Sequence, residues 1–243
     1  MEFITLDTIT TDLLNIIRGA NVSSSEPISK RQLEEWVHEY RALLLKRDMD
    51  KGKVPNPDYI QEINQLRLEA VDLAGEDVTS FGIETGYFMF KSTLEVPKTL
   101  DLNFKSGFMY IGTPAGDELQ FVPESRIRWQ RYKKYTMDDP LVFLRNGHLY
   151  AKHSEPIEYL TIRGIFEIPS EVSRFINPIT NQPYFDLSSK YPIPANMVPT
   201  LKEMILQKEM GMESQAFSDI TNDAAHGVSA PTPDIKYTQY NRG

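Results

Sequence analysis

The sequence contains no cysteine, which removes disulfide staples, thiol nucleophiles and thiolate metal sites together and suits a chain made in a reducing compartment. It also has no apolar run near the ~20 residues a membrane-spanning helix requires. Residues 1–19 carry Glu2, Asp7 and Asp12 and no basic leader, so no secretory signal is expected and synthesis in a cytoplasm is. Positive charge is in deficit. With 26 Lys and Arg against 34 Asp and Glu, the net charge of -8 opposes general affinity for phosphate or anionic lipid. No G-x-G-x-x-G follows a strand, and neither G-x-x-x-x-G-K-S/T nor G-x-S-x-G occurs, so phosphate cradles and nucleophile elbows lack their supports. Gly82-Ile83-Glu84-Thr85-Gly86 reads only as a turn before a strand. What is present is ordinary for a folded protein: 243 residues, 40% of them hydrophobic, enough for one or two cores.

The hydrophobic period sets the organisation. Leu6, Ile9, Leu13, Ile16 and Ile17 recur at helical spacing, with Gly19 as a stop. A longer helix follows, with Ser29 as N-cap, Gln32 in the reciprocal capping position, and Leu33, Trp36, Val37, Tyr40, Leu43 and Leu44 as its buried stripe. Pro55-Asn56-Pro57 prevents its continuation. After a mixed stretch through Val71 the period changes to two: Phe88, Phe90, Leu94 and Val96 alternate with Lys91, Thr93 and Glu95, then Leu100, Leu102 and Phe104 with Asp101 and Asn103. Strands are expected again at Phe108–Ile111 and Leu119–Val122, around the Gly112–Gly116 turn, and at Tyr159–Phe166. Asn146-Gly147, between Leu141–Leu144 and His148–Tyr150, is the strongest hairpin signal, because a two-residue turn there needs positive φ. A last helix starts near Asn196, tolerates Pro199 in its first turn and buries Val198, Leu201, Met204 and Ile205.

The expected class is α+β: N-terminal helices, a central antiparallel β-sandwich or barrel, and a C-terminal helix with an extended tail. By residue, 1–75 form a helical docking region, 76–168 an antiparallel β domain, 169–217 a loop and helix, and 218–243 a tail. Composition gives that tail too few large apolar residues to fold alone, so a neighbouring subunit is expected to hold it, through Ile235, Tyr237 and Tyr240.

Candidate chemistry is sparse. Glu34, Glu35 and His38 have the Glu-x-x-His spacing of a carboxylate-bridged metal pair, but that chemistry needs a second copy on another helix, and none exists. His38 therefore reads as structural, and His148 and His153 as surface residues. Asp138-Asp139 beside Pro140 are turn formers. Met197 and Met204 read as core, with Met210 and Met212 at a fraying end. No catalytic residue, metal or cofactor is expected. One cluster has electrostatic content: Arg126, Arg128, Arg131, Lys133 and Lys134, interleaved with Trp129, Tyr132 and Tyr135 and free of acids. Such a cluster can grip a nucleic-acid backbone and stack on bases. The net charge favours instead a charged strand edge or a salt-bridged subunit contact.

The stretch Trp36-Val37-His38-Glu39-Tyr40-Arg41-Ala42-Leu43-Leu44-Leu45-Lys46-Arg47-Asp48-Met49-Asp50-Lys51-Gly52 resembles one in structural proteins of crAss-like phages. Two more stretches resemble the same family: Arg163-Gly164-Ile165-Phe166-Glu167 with Pro169, Glu171 and Val172, and Tyr191-Pro192-Ile193-Pro194 leading to Met197–Leu206. The resemblance implies a non-enzymatic virion component of podovirus type, assembled in the host bacterial cytoplasm: a head-to-tail connector or neck ring. It implies a cyclic homo-oligomer, of twelve copies if it follows the symmetry of portal-bound rings. The implied partners are the portal, other neck or tail ring proteins and DNA in the channel, with no membrane.

Overall fold

A computed structural model describes residues 4–19, 28–71, 88–102, 106–130, 132 and 139–211. Helix α1 spans Leu6–Gly19, opened by the Thr5 hydroxyl accepting from the Thr8 amide at 3.1 Å, and buries Leu6, Ile9, Leu13 and Ile17. Ile16, expected on that stripe, is largely exposed, because the apolar face is narrower than the run of apolar residues. Helix α2 spans Lys30–Asp50, with the expected Ser29 cap accepting from the Gln32 amide at 3.1 Å. Its buried side adds His38, Arg41, Ala42 and Leu45 to Leu33, Val37 and Leu44, while Leu43 points outward.

Seven strands follow: β1 Gln61–Ala70, β2 Phe88–Ser92, β3 Phe108–Gly112, β4 Gln120–Phe121, β5 Leu141–Arg145, β6 His148–His153 and β7 Tyr159–Gly164. They form one sheet in the order β3-β7-β1-β2-β6-β5-β4, antiparallel except for the β4–β5 pair. The turn between β3 and β4 brings its two ends together, with Gly112 bridged to Glu118 and the Leu119 amide donating to Ile111 O at 2.8 Å. The result is a nearly closed barrel, which leaves little open strand edge to manage. Asn146 (φ 49°) and Gly147 (φ 78°) make the expected two-residue turn between β5 and β6.

Three expectations need correction here. β1, inside residues 1–75, is a strand that the sequence reading does not contain. The strand expected to reach Val96 stops at Ser92, and residues 93–100 instead cross the end of the barrel. Along the crossing, the Thr93 amide donates to Arg67 O (3.1 Å), Val96 to Gly147 O (2.8 Å) and Leu100 to Ile165 O (2.8 Å). Finally, the basic cluster does not begin on a strand edge: Glu124–Gln130 is a short helix, α3, whose Ile127 packs on Val122, Leu141, Phe143 and Tyr150.

After β7 come a 3-10 turn, Pro169–Arg174, and a hairpin of β8 (Ile176–Asn177) and β9 (Gln182–Pro183). Helix α4, Val198–Glu209, begins within two residues of its expected start. The largest apolar core joins Leu6 and Leu13 of α1, Leu33 and Leu44 of α2, Ile63, Leu149 and Ile162 of the barrel, and Leu201 and Ile205 of α4. Helices and barrel therefore share one interior. No helix among the described residues is long and apolar enough to cross a membrane.

Candidate assembly site

The three stretches that carry the resemblance lie far apart in sequence, yet they meet at one buried side chain. Arg41 is completely buried. Its Nε donates to Pro192 O at 2.7 Å, Nη1 to Phe166 O at 2.9 Å and Nη2 to Tyr59 O at 3.5 Å. Its guanidinium lies 5.7 Å from the centre of the Tyr191 ring. A guanidinium suits this place because its planar fork of donors can reach several carbonyls at once, which a lysine ammonium cannot match. Burial pulls its pKa down to about 10, so it stays charged at neutral pH. Its charge is met by backbone and ring dipoles, which pin α2 to the chain before β1, the chain after β7 and the segment leading to α4.

His38, one turn earlier, shares a 2.9 Å hydrogen bond between its Nδ1 and the Tyr191 hydroxyl. The bond ties α2 to the segment before α4; among the described residues no group of three or more His, Asp or Glu is placed to hold a metal. Burial, and then the charge of Arg41, push the His38 pKa down to about 4. An unfolded histidine titrates near 6.5, so below that pH the unfolded chain takes up a proton that the folded one refuses. Stability is therefore complete above about pH 6.5 and falls as pH drops towards 4, by at most roughly 3 kcal/mol from this group. Urea unfolding at pH 7 and pH 4.5 checks this: the loss is expected to shrink in His38→Gln. An equal loss in both proteins would contradict it.

His148 and His153, expected at the surface, are tied in. His148 Nδ1 meets Ser92 O at 2.8 Å, and buried His153 accepts from the Glu155 amide at 3.0 Å through Nδ1. They are the first and last residues of β6, and each ring nitrogen satisfies a backbone polar group there.

Two surfaces differ sharply in charge. Between α2 and the 3-10 turn runs a groove of about 430 Å³, walled by Glu34, Glu35, Glu39 and Glu167 and containing Ile168. Arg31 pairs with Glu35 at 3.3 Å and Lys98 with Glu167 at 2.7 Å, so carboxylates still outnumber cations. On α3, Arg126 is exposed, and Trp129 and Tyr132 are each 66% exposed with ring centres 6.0 Å apart. Arg128 lies on the same helix. Arg131, Lys133 and Lys134, and the tail with Ile235, Tyr237 and Tyr240, lie outside the described residues. Sequence reasoning missed Arg41, the residue that joins the fold, because a basic residue within a helix is ordinarily solvated.

Comparison with known proteins agrees with the resemblance. A family model described as phage tail ring protein 2 matches residues 8–235. No curated protein matches the chain.

Proposed function

Since the chain belongs to the phage tail ring protein 2 family, we propose that it is a structural, non-catalytic subunit of a twelve-copy ring in the neck, beneath the portal. The ring links capsid to tail and surrounds the DNA channel. The family match over residues 8–235 supports the ring subunit; the neck position and the copy number are what the resemblance to crAss-like phage structural proteins adds. The fold supports it: a barrel and helical layer sharing one core make a stiff body, and stiffness limits the ordering cost of assembly. Closed rings use head-to-tail contacts, so opposite faces of the subunit must differ and must complement each other.

The family match runs well into the tail, while the described core is built between Ile4 and Met210. Deleting residues 218–243 is therefore expected to leave a folded body that assembles poorly. The test compares thermal unfolding with incorporation into phage particles: unchanged unfolding with incorporation reduced about ten-fold or more is expected for a partner contact of this kind. Particles that hold the truncated chain in normal amount with DNA-tight necks would refute the tail's role. Co-sedimentation of purified chain with the phage's own portal tests the neck position. Failure to bind portal, with binding to a tail component instead, would move the ring down the tail.

A further inference from the structure

The groove beside α2 and the exposed face of α3 have opposite chemistry and lie apart on the barrel. The groove follows β7 and flanks α2, which is pinned at Phe166 and Tyr59, the residues bordering β7 and β1. Helix α3 packs on β5, three or four strands away from β1 and β7 in either direction round the barrel. The groove carries an excess of carboxylates around an apolar Ile168. The chain from Ser125 to Met137 holds Arg126, Arg128, Arg131, Lys133 and Lys134 without one acid.

We propose that the exposed face of α3, with Arg126, Trp129 and Tyr132, docks in the groove between α2 and the 3-10 turn of the next copy. The inference rests on the ring reading and adds its interface. A closing ring needs complementary patches at separate places on the subunit, and these two lie three or four strands apart round the barrel. Opposite charges steer the encounter and fix the register. Trp, Tyr and Arg are the residues that most often dominate such contacts, because they remove large apolar areas from water while keeping a polar end to pair. A second copy satisfies both surfaces at once; DNA on α3 would leave the acidic groove without an occupant, against a net charge of -8.

The absence of native cysteine gives a clean test. In the full chain, Tyr132→Cys and Glu35→Cys are introduced together and phage particles are assembled with the variant, then mildly oxidised. A ladder of covalent oligomers is expected on non-reducing gels, with no product beyond dimers from either single variant. Arg126→Glu is expected to lower incorporation at least ten-fold, and adding Glu35→Lys to restore much of it, since each interface then pairs the swapped charges. All these side chains lie on the surface, so unchanged thermal unfolding separates assembly from folding.

A ring present in particles without the ladder, or Arg126→Glu particles with normal rings, would overturn the interface and leave the ring reading standing. Loss of salt-sensitive binding to duplex DNA in Arg126→Glu, with rings intact, would overturn it in favour of a nucleic-acid contact. Particles in which the native chain forms no ring would remove the ring reading itself.

Discussion

Arg41→Ala is expected to lower stability by roughly 3–5 kcal/mol, because it opens a cavity and strips three buried carbonyls of their donor. For a chain of this size that is on the order of 10 °C in melting temperature. The carbonyls belong to Tyr59, Phe166 and Pro192, so the loss falls on the seams between α2, the barrel and the segment before α4. Arg41→Met tests the cause, since it restores most of the volume and none of the donors; it is expected to recover only the cavity part. Arg41→Lys keeps the charge but cannot span all three acceptors, and should fall between. Urea unfolding of the full chain measures each. A cost below about 1 kcal/mol for Arg41→Ala would mean that the seams hold without this side chain.

Gly107→Ala is expected to cost roughly 2–4 kcal/mol for the opposite reason, an added atom with no room. A Cβ there would sit 2.6 Å from Thr99 Cβ and 2.7 Å from Leu100 O. The second contact is backbone, which cannot rotate away as a side chain could. Both groups belong to the segment that crosses the end of the barrel, and that segment is held in turn by Leu100 donating to Ile165 O. Ile165 also donates to Gly107 O at 2.9 Å, so three strands of chain lie in contact and shifting one disturbs the others. Hydrogen exchange is expected to show the amides of Leu100 and Ile165 losing protection first. Protection unchanged at both, with native stability, would show that the crossing has room to move.

Elements whose signal is local were the ones legible in the sequence. The turn at Asn146-Gly147 was legible because its backbone demands residues that tolerate positive φ, and α1, α2 and α4 were legible from period and caps. β1 was not, because its buried residues Ile63, Leu66 and Leu68 are spaced three then two apart: a bulge between Ile63 and Leu66 interrupts the alternation. Helix α3 escaped for a related reason. Arg126, Arg128 and Gln130 alternate with Ile127 and Trp129, which imitates a strand, and seven residues are too few to show a helical period of their own. The crossing at residues 93–100 has a strand's alternation in its sequence, but its amides go one each to β1, the β5–β6 turn and the end of β7 instead of to a ladder. Arg41 and Gly107 carry no local signal, since what they do depends on carbonyls and backbone brought from distant sequence. The candidate interface was half legible: the basic, aromatic cluster stood out, whereas the acidic groove exists only once α2 is laid beside the 3-10 turn.

The central claim, that this chain is a ring subunit of the virion neck, is tested most directly by a symmetric reconstruction of the neck in intact particles. A twelve-fold ring below the portal is expected, into which this barrel and its helical layer fit as one body. In it, α3 of each copy would face the groove between α2 and the 3-10 turn of the next. A neck whose rings are all accounted for by other chains, with this one absent or present as isolated copies, would contradict it.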